Sequence, residues 1–149
     1  MTTAVVVWST RGVDQTTLVA AVTPAVATAV DEIRRAFPDA SVRAWPDGQG
    51  GAFVVIDDVE LGPAWAPSSS WLGFMVSYLH PETDCYPHYV GAEVHRIDRQ
   101  AMQAPFHSGQ TFDGAPAIMV SRRSPGRDPL LDTPARKTQS VLQFIRSQS

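Results

Sequence analysis

Residues 71–87, WLGFMVSYLHPETDCYP, hold the most strand-like run of the chain and the segment that ends it. The run from Trp71 to Tyr78 is dominated by aromatic and aliphatic residues, which favour strands, and its bulk predicts a central place in a sheet. Polar residues around two prolines, Pro81 and Pro87, follow this run and predict a loop. The stretch therefore predicts a buried strand that ends in a proline-bounded loop.

Three more strands are predicted on either side of this one. Residues 41–45 alternate in polarity, and a turn cluster over 46–51 separates them from an apolar run over 52–56, which two aspartates interrupt. A fourth strand is predicted over 92–97, where charged residues indicate one face open to water. Because the links are short and contain no helix, the four strands predict an antiparallel meander.

A helix is predicted before the meander and another after it. Thr23-Pro24 has the pattern of an N-cap followed by a first-turn proline, and apolar residues at positions 26, 30, 33 and 37 share one helical face, so this helix is predicted over 24–36. Positions 138, 141, 142 and 145 also share a face and predict a last helix over 137–145. Residues 98–117 show little periodicity, and residues 4–8 resemble a short strand. This order of elements predicts an α+β fold.

The length and composition of the chain restrict the classes of protein to which it belongs. At 149 residues it is predicted to form one domain over 1–149, with residues 1–22 as a candidate N-terminal extension. The longest apolar runs span a few residues, so we expect neither a membrane span nor a secretory signal, and we expect a cytoplasmic protein. The net charge of −3 argues against a nucleic-acid partner, which calls for a strongly basic domain.

Charge is unevenly distributed along the chain. Residues 121–149 contain six cationic and two acidic side chains, whereas residues 1–120 contain six cationic and thirteen acidic ones. The basic C-terminal segment includes Arg122 and Arg123, which predict contacts with carboxylates, either inside the protein or on a partner. Adjacent side chains on a strand point to opposite faces, so at most one of this pair faces a given ligand.

Cys85 is the only cysteine in the sequence. One cysteine excludes a disulfide framework and the zinc and iron–sulfur sites that need several. His80 and His88 lie near enough in sequence to lower the pKa of the thiol, which would make Cys85 a nucleophile, and the same three residues with an acid would have the composition of a zinc site. A buried, unreactive thiol and a plain polar loop are the commoner outcomes, and we expect no metal or other cofactor.

Residues 74–78, the loop after them and Tyr86-Pro87 together resemble the Tyr-Pro region of ubiquitin-conjugating enzymes, the UBC family. The resemblance implies a helix, a four-stranded antiparallel meander with Tyr-Pro after its third strand, and a C-terminal helix. It gives Tyr86 and Pro87 structural roles, since proline removes a donor where the chain leaves the sheet and tyrosine fills the space beneath. Residues 119–124 are similar to those of divergent bacterial relatives of the family.

Most residues of the family's active site are replaced in this chain. His107 is the one residue retained from the family's His-Pro-Asn turn, Gly114 matches a turn glycine, and Ala117 stands where the catalytic cysteine is expected. The resemblance therefore implies a vestigial site that cannot carry a thioester at Ala117.

Three functions are compatible with these residues. The favoured one is a non-catalytic UBC-like protein of a bacterial ubiquitin-like modification system, which binds a ubiquitin-like protein, an activating enzyme or a target through contacts that include Arg122 and Arg123. The second is an active conjugating-type enzyme that uses Cys85 as a nucleophile in a non-standard position. The third is an unrelated α+β accessory domain in which Tyr-Pro is a coincidence.

Overall fold

Three α-helices lie in the part of the chain that the computed structural model describes, residues 10–124 and 126–149. They are α1 (Gln15–Ala21), α2 (Pro24–Ala36) and α3 (Pro134–Arg146). The side chains of Asp14, Thr23 and Thr133 cap their N-termini, and α2 and α3 have a proline in the first turn. The predicted helix over 24–36 is confirmed, and the last helix begins three residues before its predicted start. None of these described helices is long and apolar enough to cross a membrane.

The same part of the chain contains eight strands in two antiparallel sheets. They are β1 (Val42–Pro46), β2 (Ala52–Glu60), β3 (Trp65–Ala66), β4 (Ser69–Val76), β5 (His88–Gly91), β6 (His95–Arg96), β7 (Phe106–Phe112) and β8 (Ala115–Val120). The larger sheet has the order β1-β2-β4-β5-β8-β7, and β3 pairs separately with β6. Strands β1, β2, β4 and β5 lie side by side in the larger sheet in the order in which they occur along the chain, as in the predicted meander. The hairpin β7–β8 extends this sheet to six strands.

Two of the predictions on strands are wrong. The fourth strand of the meander, β5, precedes the predicted range 92–97, which holds an exposed turn at 92–93 and then the two-residue strand β6 of the smaller sheet. Residues 98–117, predicted to be irregular, contain β7, whose central residues are exposed and polar and therefore give no apolar alternation. The predicted strand over 4–8 lies outside the described residues.

Asp57 and Asp58, which interrupt the second predicted strand, form a β-bulge within the strand and do not end it. Pairing between β2 and β4 shifts register between Ile56 and Val59, and Asp58 adopts a positive φ of 53° there. Aspartate tolerates this left-handed conformation better than most residues do. Strand β2 therefore continues through the bulge as far as Glu60.

The inner face of the larger sheet packs against α2 and α3. Val54 of β2 and Phe74 of β4 are fully buried there, together with Val26, Val30 and Ile33 of α2. The helical positions predicted to share a face are buried, except for Phe37, which follows the last residue of α2 and is half-buried against the core. Alternation along the strands then sends the neighbouring side chains to the opposite face of the sheet.

That opposite face, called the outer face below, carries an aromatic cluster that no described helix covers. Its rings are Trp45, Phe53, Trp71, Tyr89 and Phe112. The ring of Phe112, at the end of β7, lies between 5.2 and 5.8 Å from those of Phe53, Trp71 and Tyr89. Because β7 and β2 are far apart in the strand order, the β7–β8 hairpin curls over the outer face to make these contacts.

Polar contacts hold the tip of the hairpin in this curled position. Asp113, in the turn between β7 and β8, accepts hydrogen bonds from Trp45 Nε1 on β1 (2.8 Å) and from a guanidinium N–H of Arg11 (2.7 Å). A register shift between His107 and Gln110 accompanies the bend of β7. The two edges of the sheet, β1 and β7, are thus brought together by side chains rather than by backbone pairing.

Gly73 of β4 leaves the space that Phe112 occupies. A Cβ at this position would lie 2.8 Å from Cε2 of Phe112 and 2.9 Å from Cζ3 of Trp71, closer than real Cβ atoms approach other atoms. The aromatic cluster therefore depends on the absence of a side chain at residue 73.

We expect Gly73→Ala to lower the free energy of unfolding by about 1–3 kcal/mol, because the added methyl group overpacks the cluster. Urea unfolding of the variant and of the unmodified chain would measure this. In a Phe112→Leu background, where the smaller side chain leaves room, the same substitution should cost less. An equal cost in both backgrounds would contradict the packing described above.

Candidate functional site

Tyr86 and Pro87 lie in the loop between β4 and β5, immediately before β5 begins. The hydroxyl of Tyr86 is 2.6 Å from the hydroxyl of Ser121, and the guanidinium of Arg123 lies over its ring, 4.4 Å from the centroid. Tyr86 therefore joins the β4–β5 loop to the segment that follows β8, through one hydrogen bond and one cation–π contact.

A cleft of about 180 Å³ opens on the outer face beside this tyrosine. Its apolar and aromatic walls are formed by Phe53, Met75, Tyr86, Pro87, Tyr89 and Phe112. Thr111 and Asp113 add polar groups from the β7–β8 hairpin. Partial burial raises the pKa of Tyr89, so its hydroxyl is a neutral hydrogen-bonding group at neutral pH. Partly exposed rings around a small cleft are the kind of feature that concentrates binding energy at protein interfaces.

The three residues of the predicted vestigial site all lie on the β7–β8 hairpin. His107 pairs with Met119 within a strand, so the expectation that it occupies a turn is corrected. Gly114 does lie in a turn, with a positive φ of 86°. Ala117 pairs with Gly91 on one side and Gln110 on the other, and is 1% exposed. A side chain at residue 117 faces the aromatic cluster of the outer face and not a solvent-accessible loop.

Cys85 is buried beneath the β4–β5 loop. The thiol is 6% exposed and its Sγ lies 3.5 Å from the carbonyl oxygen of Met75. Burial, and after it the nearby carboxylate of Asp84, raises the pKa of the Cys85 thiol far above its ordinary value. A thiol that stays protonated and enclosed has neither the charge nor the access that a nucleophile needs, so the geometry supports the unreactive alternative.

The histidines near Cys85 do not assemble a metal centre with it. Within residues 10–124 and 126–149, no group of three or more His, Cys, Asp or Glu side chains is arranged to hold a metal ion. His80 is partly buried, and its pKa is lowered by loss of solvent and by the charge of Arg127. The zinc alternative for His80, Cys85 and His88 thus has no geometric support.

A buried polar network that the sequence analysis did not single out lies behind Tyr86. Lys137 of α3 donates from Nζ to Asp84 (3.0 Å) and to the hydroxyl of Ser124 (2.6 Å), and the N–H of Ser124 donates to the same carboxylate (2.9 Å). Arg127 donates to the carbonyl of Pro81 at 2.6 Å. The network fastens the β4–β5 loop and the segment after β8 to helix α3. One signal was available: Lys137 is the only lysine of the chain and falls on the apolar face of a predicted helix.

The short contact between Ser124 and Lys137 has the composition of a serine–lysine catalytic pair. In such a pair, a neutral amine takes the proton of the serine hydroxyl. Here the carboxylate of Asp84 lies 3.0 Å from the Lys137 nitrogen and pairs with it as an ammonium, which is a donor and not a base. The arrangement is therefore suited to holding loops in place rather than to activating a nucleophile.

His88, the first residue of β5, adds a second buried polar contact beside this network. Its Nε2 lies 2.9 Å from the hydroxyl of Thr138 on α3, and its Nδ1 has no hydrogen-bond partner among the described residues. Burial, followed by the charge of Lys137, lowers the pKa of His88 to about 3, while Asp84 opposes this shift. His88 is therefore a neutral core residue at neutral pH.

The two arginines predicted as binding residues have separate neighbours. The guanidinium of Arg122 lies 3.9 Å from the ring centroid of Phe144 on α3, whereas that of Arg123 lies over Tyr86. The neighbours found are thus aromatic rings, and of the two carboxylate contacts predicted, one inside the protein is not formed by the described residues. Both side chains remain exposed, and that of Arg123 lies next to a wall of the aromatic cleft.

Acid should destabilise the protein in part through His88. The unfolded chain takes up a proton at this residue near pH 6.5, whereas the folded chain resists protonation until about pH 3. Between pH 6.5 and about pH 3 the unfolded chain therefore binds this proton and the folded chain does not. As the pH falls through this range, the free energy of unfolding decreases by up to about 1.4 kcal/mol per pH unit because of His88, and above pH 6.5 His88 causes no such loss.

We expect the free energy of unfolding of a His88→Gln variant to fall less steeply between pH 6.5 and pH 4 than that of the unmodified chain. Urea unfolding across this range would measure both slopes, and His80 is common to the two proteins and so does not affect the comparison. Parallel slopes would show that His88 titrates normally in the folded state.

The buried state of Cys85 gives a second expected outcome. Iodoacetamide at pH 8 should leave the folded chain unmodified and should alkylate Cys85 fully in concentrated urea, because only unfolding exposes the thiol and restores its ordinary pKa. Intact-mass measurement distinguishes the two states, and free cysteine in the same tube controls for the reagent. Rapid alkylation of the folded chain would restore Cys85 as a candidate nucleophile.

Comparisons of the chain with protein-family models, with curated proteins and with solved structures found no match.

Proposed function

We propose that this chain is a UBC-like protein that acts by binding and does not carry a thioester. Support comes from the order of elements: α2, then the antiparallel meander β1-β2-β4-β5, then α3, with Tyr86-Pro87 between the third and fourth strands of that meander. The resemblance of the Tyr-Pro region implies this order for a UBC domain. The hairpin β7–β8 is an addition at the end of the meander.

The observation that carries the non-catalytic part of the proposal is the position of the only thiol. Transfer of a ubiquitin-like protein requires an accessible thiolate and donors that stabilise the oxyanion formed on the attacked carbonyl. Cys85 is enclosed, and residue 117, which the resemblance assigns to the catalytic cysteine, is an alanine within a paired strand. The chain thus has no described group that meets the first requirement.

The aromatic cleft is the proposed contact surface. Its rings, the exposed Met75 and the neighbouring Arg123 have the composition of the centre of a protein–protein interface, in which aromatic residues, methionine and arginine are enriched. We propose that the partner is a ubiquitin-like protein, its activating enzyme or a modification target, in the bacterial cytoplasm. Arg123, whose guanidinium lies over Tyr86, would then contact an acidic group beside the apolar contact, whereas Arg122, over Phe144, would contact a more distant part of the partner.

A reconstituted reaction tests the two parts of the proposal separately. The chain would be mixed with a purified bacterial ubiquitin-like protein, its activating enzyme and MgATP, and non-reducing gels would be searched for a thiol-sensitive adduct. We expect no adduct, whereas a conjugating enzyme with an exposed catalytic cysteine, included as a control, should form one. An adduct that disappears in Cys85→Ala would instead support the active-enzyme alternative.

Calorimetry with the same two proteins measures binding. We expect an affinity that falls at least about tenfold in Met75→Asp, because this substitution puts a charge on the wall of the cleft. The matched control, Ile97→Asp, places the same charge at an exposed apolar position on the turn after β6 and should bind normally. If the chain bound neither the ubiquitin-like protein nor the activating enzyme, or if both variants bound equally well, the result would contradict the proposed surface and favour the accessory-domain alternative.

A further inference from the structure

Phe112 is a buried apolar side chain that follows an exposed, polar part of strand β7. The four residues before it, 108–111, are exposed, and the Asp113-Gly114 turn comes directly after it. Phe112 itself is 3% exposed, because its ring lies among the rings of the outer face. This end of the hairpin therefore places one aromatic ring against the sheet while the neighbouring side chains of β7 remain in water.

The ring of Phe112 occupies a slot that belongs to other strands. The floor of the slot is Gly73, where the absence of a side chain leaves room for Cε2 of Phe112. The walls are the rings of Phe53, Trp71 and Tyr89. These residues lie on β2, β4 and β5, which pair with one another without the hairpin. The slot is thus a feature of the meander, and its size and aromatic walls suit one aromatic ring.

The tip of the hairpin, residues 111–116, extends beyond the strand that supports its base. Pairing of β8 with β5 ends at Ala117, opposite Gly91. Within the described residues, the backbone of the tip then pairs with itself alone. A two-stranded ribbon without further support is marginally stable in water. The position of the tip on the outer face therefore depends on side-chain contacts.

Asp113 provides the polar part of these side-chain contacts. Its carboxylate accepts the hydrogen bonds from Trp45 Nε1 and from Arg11 described above. The Asp113 side chain is 22% exposed and that of Arg11 is 40% exposed. Because both are partly exposed, water can replace these hydrogen bonds when they break. The contacts of Asp113 with Trp45 and Arg11 are called the Asp113 latch below.

Strand β7 is interrupted between the tip and the base of the hairpin. The register shift between His107 and Gln110 includes Gly109, which has a positive φ of 76°. Such an interruption is a place where a strand bends. The cleft beside Tyr86 has the tip as one of its walls, so a movement of the tip about residues 107–110 changes the cleft as well as the slot.

We propose that Phe112 is an internal ligand that closes the slot over Gly73, and that an aromatic side chain of a protein partner displaces it. Opening of the Asp113 latch lets Phe112 leave, and the slot then joins the cleft in one apolar site. The partner's ring leaves water as that of Phe112 enters it, so the two transfers largely offset each other. This inference rests on the proposed function, because it names the kind of side chain by which a partner binds the outer face.

Toluene, which has the ring of a phenylalanine side chain, tests the slot without a protein partner. We expect ligand-observed NMR to show that Asp113→Ala binds toluene about tenfold more tightly than the unmodified chain, because loss of the latch raises the population with an open slot. The matched control is Asp98→Ala, which removes a carboxylate paired with Arg96 in a different turn and should bind as the unmodified chain does. Equal affinities of Asp113→Ala and the unmodified chain would overturn the proposal.

Two further variants locate the bound toluene. Phe112→Ala empties the slot and should bind toluene more tightly than Asp113→Ala, since small apolar cavities in proteins bind benzene-sized molecules. Adding Gly73→Ala fills the floor of the emptied slot and should remove this gain. Circular dichroism would check folding, and Phe112→Leu would take the place of Phe112→Ala if the latter did not fold. A gain that survives Gly73→Ala would place the toluene elsewhere and contradict the slot.

Hydrogen exchange measured by mass spectrometry follows the movement of the tip. In Asp113→Ala, a peptide that covers residues 108–118 should exchange about tenfold faster than in the unmodified chain, whereas a peptide from α2 should exchange at the same rate in both. Equal acceleration of the two peptides would indicate that the whole domain is destabilised, and would contradict a local opening of the tip.

Calorimetry with the ubiquitin-like protein and the activating enzyme separates this inference from the proposed function. Tighter binding by Asp113→Ala than by the unmodified chain would support displacement of Phe112. Unchanged or weaker binding by Asp113→Ala would overturn displacement, while weaker binding by Met75→Asp would still support the contact surface. If no variant bound either protein, the proposed function would fail together with the partner's role in displacement, and the toluene and exchange results would decide whether Phe112 closes a slot.

Discussion

A sheet that is apolar on both faces needs cover on both, and the helices among residues 10–124 and 126–149 cover only one. The inner face packs against α2 and α3, while the outer face carries five aromatic rings. The β7–β8 hairpin supplies the missing cover by curling back until Phe112 lies over Gly73, a place that a side chain at residue 73 would close. Because the cover is partial, a cleft remains beside Tyr86, and the proposed binding surface is a direct consequence of this incomplete cover.

Three groups with potential chemistry are enclosed in the interior. Cys85 is buried as a neutral thiol, His88 as a neutral imidazole, and Lys137 as an ammonium paired with Asp84. In these states they fasten loops to α3 and do not present an accessible acid, base or nucleophile. The groups at the surface cleft are instead aromatic rings, the side chain of Met75 and the guanidinium of Arg123, which are typical of protein contact surfaces. The function proposed for the outer face is a binding function for this reason.

The chain predicts its local structure well where one signal is repeated within a few residues. Thr23-Pro24 and the spacing of Val26, Val30 and Ile33 predict α2 with its observed ends. Alternating polarity predicts β1, and apolar runs predict β4 and the first five residues of β2, in nearly their observed places. Strand β7 could not be predicted, because its central residues are exposed and polar and its strand conformation comes from pairing with β8. The polar network could not be predicted either, since Asp84 and Lys137 are separated by 53 positions in the sequence.

By itself, therefore, the amino-acid sequence determined the α+β class, the N-cap of α2, the strands β1, β2 and β4 and the presence of a single cysteine, because these follow from residue type and from spacing over one or two turns. The tertiary structure alone decided that Cys85 is enclosed, that Ala117 lies in a paired strand and that Phe112 reaches the far side of the sheet. Those outcomes depend on which distant segments pack together. Long-range packing is set by the fit of whole faces and not by any short pattern.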